Sequence, residues 1–275
     1  MSLLFAAILG LVQGVAEFLP ISSSGHLAIL QNFFNIKEAD LLFDVLLHFA
    51  TLIAIVIVYW KDIVEMIKQV IGFFKDINHP KPESGAPNPA RRLVLMLIIA
   101  TLPLVIVLPF QNAIEGLGDS TLFVGIALLV TGGILFLSDR MKIGGKTEKN
   151  MTIGNALVIG LCQAVAVVPG ISRSGTTITA GMATGLSRSF AVKFSFLLSL
   201  PAVLGATVLS LIKALKEGIN TTMIPAYLLG MVVAFVSGFF AIKLVKMLAQ
   251  KGKFGKFSYY CFAIGILTII LTIFI

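Results

Sequence analysis

The chain has 275 residues and a formal net charge of +8, yet only 12% of it is charged and 57% is apolar. That charged share is about half that of a soluble domain, and several apolar runs approach the roughly 20 residues that cross a bilayer as helix. A water-soluble globular domain is excluded, and the basic residues, which sit between the apolar runs, reflect membrane insertion rather than nucleic acid binding.

No signal-peptide pattern precedes the first apolar run, so the N-terminus is expected to be retained. That run is broken at Pro20 and again by Ser22-Ser23-Ser24-Gly25, too early for a full span. A mixed, partly acidic segment covers 31–42. Residues 43–60 then read as a span ending on Tyr59 and Trp60, which suit the membrane interface. Residues 61–91 read as a basic polar loop whose tail, HPKPESGAPNP, has the Pro and Gly content of a flexible linker. A span over 92–110 is expected to bend at Pro103. A short acidic loop with Glu115 and Asp119 leads to a span over 121–138, then to a loop carrying Arg140, Lys142, Lys146 and Lys149. After a second broken stretch come spans at 190–212, 223–242 and 258–275, with five lysines between the last two. Cys162 and Cys261 lie in apolar surroundings and read as free, inert thiols.

The two broken stretches are copies of one another. At a constant offset of 150, residues 10–25 (GLVQGVAEFLPISSSG) and 160–175 (GLCQAVAVVPGISRSG) are identical at nine of sixteen positions. If both copies are re-entrant, 17 Lys and Arg fall on one side of the membrane. Only Lys37, Lys213 and Lys216 fall on the other, and Arg173 remains within it. A second copy that crossed fully would spoil this asymmetry, so the positive-inside rule favours re-entrance. The expected fold is an all-α integral membrane protein with an inverted-topology repeat. Residues 1–150 form one half, with a re-entrant helix pair at 1–36 and three spans. Residues 151–275 form the other, with a re-entrant pair at 153–187 and three spans. Broken helices of this kind meet near mid-membrane, and irregular backbone at that depth needs a protein-lined or wet cavity.

The differences between the copies supply the chemistry. Only the first carries Glu17, with Gln13 one helical turn earlier on the same face, and only the first is followed directly by His26. Only the second carries Arg173. A carboxylate deep in an apolar stretch is functional by default, as a general base or as a ligand of a hard divalent cation such as Mg²⁺ or Ca²⁺. Arg173 can grip phosphate oxygens bidentately. The glycine-flanked turns around it, and around Ser22-Ser23-Ser24-Gly25, open helices whose free N–H groups cradle anions. His26 beside such a cradle suits a general acid or a nucleophile. His48, mid-span, and His79, in the linker, read as a packing and a solvated residue. The set suits phosphoryl chemistry, and with no Walker-type segment in the chain the substrate is expected to be a phosphorylated lipid.

At these residues the chain closely resembles the undecaprenyl-pyrophosphate phosphatase family, also called the bacitracin-resistance protein family. Its (E/Q)xxxE element matches Gln13 and Glu17. Its PGxSRSxxT element matches Pro169, Gly170, Ser172, Arg173, Ser174 and Thr177. An SS-x-GH segment matches Ser22, Ser23, Gly25 and His26. The resemblance implies a membrane phosphatase that converts undecaprenyl pyrophosphate to the monophosphate carrier lipid of cell-wall synthesis, confers bacitracin resistance, and needs a divalent cation. By the same carry-over, Glu17, His26, Ser23 and Arg173 are the catalytic set, with Ser23 or His26 as nucleophile. Ser22, Ser24, Gly25, Gly170, Ser172, Ser174 and Thr177 then hold phosphate. Gln13 in place of a second Glu leaves Glu17, Gln13 and the substrate's own oxygens to hold the metal. The implied setting is the inner membrane of a bacterium, with the site toward its outer face. The expected partners are a polyprenyl pyrophosphate lipid and the bilayer, with a homodimer left open. Two rivals remain. A lipid phosphatase of the phosphatidic-acid type places a histidine shortly after its SR element, and none occurs here between Ser174 and Ser195. A polyprenyl-phosphate flippase would use the same inverted-repeat cavity without hydrolysis.

Overall fold

The computed structural model of the chain describes residues 2–34, 41–78, 88–142, 144–217, 221–251 and 254–274. His79, most of the 79–89 linker and Lys37 lie outside these. The described residues are almost entirely helical, with a single isolated bridge between Lys146 and Leu186. In chain order the helices are α1 (Leu3–Phe18), α2 (Ser23–Phe33), α3 (Leu41–Val58), α4 (Trp60–Asn78), α5 (Pro89–Thr101), α6 (Pro103–Val107) and α7 (Gln111–Glu115). They continue with α8 (Thr121–Ser138), α9 (Ile153–Val165), α10 (Arg173–Ala183), α11 (Arg188–Glu217), α12 (Ile224–Lys251) and α13 (Lys256–Phe274). Among the described residues five helical stretches, with the run from Pro89 to Asp119 taken as one, are long and apolar enough to cross a membrane, or six if the bent α3–α4 pair is one span. This is an integral membrane protein.

Local sequence explains where most elements start and stop. Ser120 caps α8 by accepting the Phe123 N–H at 3.3 Å, and Thr152 with Asn155 forms a reciprocal capping box on α9. Pro103 ends α5 and opens α6, so the helix is interrupted where the sequence places its proline. The breaks near Pro20 and Pro169-Gly170 separate α1 from α2 and α9 from α10, matching the interruptions read from the sequence.

Two expectations need correction. The segment read as a polar loop from 61 begins as helix: α4 leaves α3 at an angle of 86°. Ile63 and Met66 pack on the core while Lys61, Asp62, Glu65 and Lys68 interleave with them, so charge content concealed a 3.6-residue period. Lys193 Nζ lies 2.6 Å from Asp62 and fastens this helix to α11. Ile67 and Ile71 on α4 stay exposed, the pattern of a helix lying in the interface. The span expected to end at 242 also continues as helix to Lys251. Lys243 and Lys246 do not stop it, because their ammonium groups rest over the rings of Phe239 and Tyr59 at 4.1 and 4.8 Å.

Small residues bring the two copies onto their neighbours. α1 packs most extensively against α12, where Gly10 faces the backbone of Gly230 and Gly14 that of Ala234 and Gly238. On the other side α9 lies on α5, with Gly160 against the backbone of Ala100. A side chain at Gly10 or Gly160 would collide with main chain, which explains why both copies hold glycine there. The breaks themselves meet. A Cβ on Gly25 would stand 3.0 Å from Gly170 Cα, and one on Gly175 would stand 3.2 Å from Pro20 Cβ. Those pairs exchange under the 150-residue offset.

Candidate active site

Each break ends in a serine that caps the helix after it. Ser22 Oγ accepts the Gly25 N–H at 3.2 Å, and Ser172 Oγ accepts the Gly175 N–H at 3.1 Å. The hydroxyls two residues on follow the same pattern, with Ser22 to Ser24 at 3.4 Å and Ser172 to Ser174 at 3.3 Å. Ser22 holds φ at 72°, an uncommon conformation for a residue with a side chain, and Gly170 holds φ at 92°. Thr131 on α8 fixes the second break from behind: its hydroxyl donates to Gly170 O at 2.9 Å and accepts the Ser172 N–H at 3.0 Å.

Glu17, buried near the end of α1, is where the two copies join. Arg173 donates to Glu17 Oε1 across the interface between them. Glu17 Oε2 accepts the Ser23 hydroxyl at 2.7 Å and Gln13 Nε2 at 3.0 Å. His48 Nε2 lies 3.7 Å from the same oxygen. Because the partner of His48 Nδ1 is the carbonyl of Asp44 at 2.8 Å, Nδ1 carries the proton, and Nε2 presents a lone pair when the ring is neutral. The acid is thus surrounded by a cation, a hydroxyl, an amide and an imidazole.

Beside this cluster lies a cavity of about 250 Å³. It brings together Glu17, Ser22, Ser23, Ser24, Ser172, Arg173 and Ser174 of the expected site. Others stand back from it. Gln13 lies behind Glu17, and Gly25 and Gly170 form the contact between the breaks. Thr177 is buried, with its hydroxyl committed to Arg173 O at 2.9 Å and Ser195 Oγ at 2.5 Å. His26 is not among the residues that line this cavity. Its Nδ1 donates to Ser22 O at 2.7 Å, so its Nε2 accepts from Tyr260 Oη at 2.9 Å, with the two rings stacked. His48 and Gln163, which sequence reasoning did not place in the site, line the cavity. The signal for Gln163 was its match to Gln13 in the repeat. For His48 it was a polar residue at helical spacing with Asp44 and Thr51, whose hydroxyl donates to His48 O at 2.7 Å.

The family model for the bacitracin resistance protein BacA matches residues 6–267. The chain belongs to this family. Undecaprenyl-diphosphatase of Methanobrevibacter smithii is 43% identical over 270 residues, covering 97% of this chain and 96% of its own. The protein of the same name from Methanosphaera stadtmanae is 40% identical over 284 residues, 99% of both chains. That from Carboxydothermus hydrogenoformans is 40% identical over 269 residues, covering 97% and 96%. These matches take in both repeat copies, and therefore both sides of the cavity.

Proposed function

We propose that this chain hydrolyses undecaprenyl diphosphate to undecaprenyl phosphate and inorganic phosphate within the membrane. That activity would return the carrier lipid to cell-wall synthesis and account for bacitracin resistance. The observation that carries the reading is Glu17, Ser23 and Arg173 gathered on one intramembrane cavity, in a chain aligned end to end with proteins named for this hydrolysis.

In this mechanism Ser23 is the nucleophile. Its Oγ attacks the terminal phosphorus as its proton passes to Glu17, to which it already donates. The new Oγ–P bond forms as the bond to the bridging oxygen breaks, and undecaprenyl phosphate leaves with the electron pair. Glu17 gives the proton it took to solvent and then accepts one from the water that attacks the phosphoserine. The Oγ–P bond breaks, Glu17 returns that proton to Ser23 Oγ, and inorganic phosphate departs. Arg173 and the N–H groups at the starts of α2 and α10 stabilise charge on the phosphoryl oxygens. His26, with both ring nitrogens engaged, holds the Ser22 turn that aims Ser23. A hard divalent cation suits the Glu17 carboxylate, with diphosphate oxygens to complete its shell, while Gln13, behind Glu17, would steady that carboxylate through its Nε2 rather than ligate the ion. Bound there, it would supply charge neutralisation to the phosphate.

The reciprocal contacts of Gly25 with Gly170 and of Gly175 with Pro20 support the inverted-repeat arrangement, since a two-fold axis between the breaks generates both. With the basic loops cytoplasmic, the cavity opens toward the outer face of the cytoplasmic membrane. Phosphate release from a prenyl diphosphate by the purified protein is the test. Release that a chelator suppresses and Mg²⁺ or Ca²⁺ restores is expected; a folded, lipid-binding protein that releases none would overturn the reading.

A further inference from the structure

Gln163 is 1% exposed, and neither its amide nitrogen nor its amide oxygen has a hydrogen-bond partner among the described residues. It lies on the last turn of α9 and lines the cavity shared with Glu17 and Arg173. A buried amide left this way opposes folding unless something supplies its partners. The repeat explains why it is free. In the first copy Gln13 donates to the acid one turn later, Glu17; in the second copy the residue one turn later is Val167. The same amide recurs without the acid that would occupy it. A second buried donor on this cavity's lining, Arg173 Nη1, is also unpartnered. Two unmet donors, one of them cationic, call for a group made only of acceptors.

We infer that Gln163 binds the diphosphate of the substrate, its Nε2 donating to a non-bridging phosphate oxygen beside the one gripped by Arg173. The inference rests on the phosphatase reading and adds to it a substrate-binding residue from the repeat that lacks the acid. Gln163 Oε1 accepts from a water or a protonated oxygen carried with the phosphate.

The experiment compares Gln163→Leu and Gln163→Met with wild type in two measurements: Tm of the purified protein without lipid, and kcat and KM for a prenyl diphosphate. Replacing an unmet amide by an apolar group of similar size should leave Tm equal or higher. KM should rise about tenfold or more, the loss expected for one hydrogen bond to a charged group, with kcat less affected. Gln163→Glu should weaken binding further by repelling the phosphate. A wild-type KM in both apolar variants would overturn the inference, showing an amide served by water alone. A lowered Tm in both would overturn it too, showing a structural partner. Either result leaves the phosphatase reading standing, which fails only if the wild type itself releases no phosphate.

Discussion

At Glu17, four side chains from four helices converge on a single carboxylate, and each should fail differently when removed. Glu17→Gln keeps the shape but loses the proton acceptor, and a fall in turnover of about a hundredfold or more is expected. Ser23→Ala should abolish turnover, whereas His26→Ala, which removes only a brace on the Ser22 carbonyl, should slow it. A trapped phosphohistidine in place of phosphoserine would reverse that assignment. Arg173→Lys should be nearly as damaging as Arg173→Ala, because an ammonium cannot grip phosphate as a fork. His48, read from sequence as a packing residue, faces Glu17, so His48→Ala should lower kcat by about tenfold. Glu17, Ser23 and Arg173 were legible because repeat and motif mark them. His48 was not, since a histidine in an apolar run shows its chemistry only when another helix brings an acid to it. His26 shows the reverse: its motif is clear, but the Tyr260 hydroxyl that engages its Nε2 lies 234 residues further along the chain.

The broken helices were the elements most readable in sequence, because Pro20, Pro169 and Gly170 cannot continue a helix without disturbance. What sequence could not show is how the breaks are held. Thr131 lies in a span that reads as uniformly apolar, yet its one hydroxyl serves both ends of the Gly170–Ser172 turn. Thr131→Val should leave that carbonyl and N–H unmet, lowering Tm by several degrees and activity with it; unchanged thermal melting would count against this role. Helix α4 escaped notice for the opposite reason, since alternating charge and aliphatic residues resemble a loop until the helical period is tested.

At the scale of the whole molecule, small residues at helix contacts set which half touches which. Cysteine positions give a clean handle on topology. Cys162 and Cys261 have no metal or thiol partner among the described residues, and a Cys162→Ala/Cys261→Ala protein should keep most of its activity. In that background, single cysteines at 111–120 should react with an impermeant reagent added outside, and those at 243–251 should not; the opposite pattern would overturn the proposed orientation. The pairing of α1 with α12 also bears on biosynthesis. Helix α1 is synthesised with Glu17 well before its cationic partner, which is made 156 residues later, and before its main packing surface, made later still. Until Arg173 is made, Glu17 has no counter-charge from the second copy. Truncation after residue 217 should leave a product that proteases clear quickly, while a separately expressed 151–275 segment should rescue a 1–150 segment by supplying both missing surfaces at once.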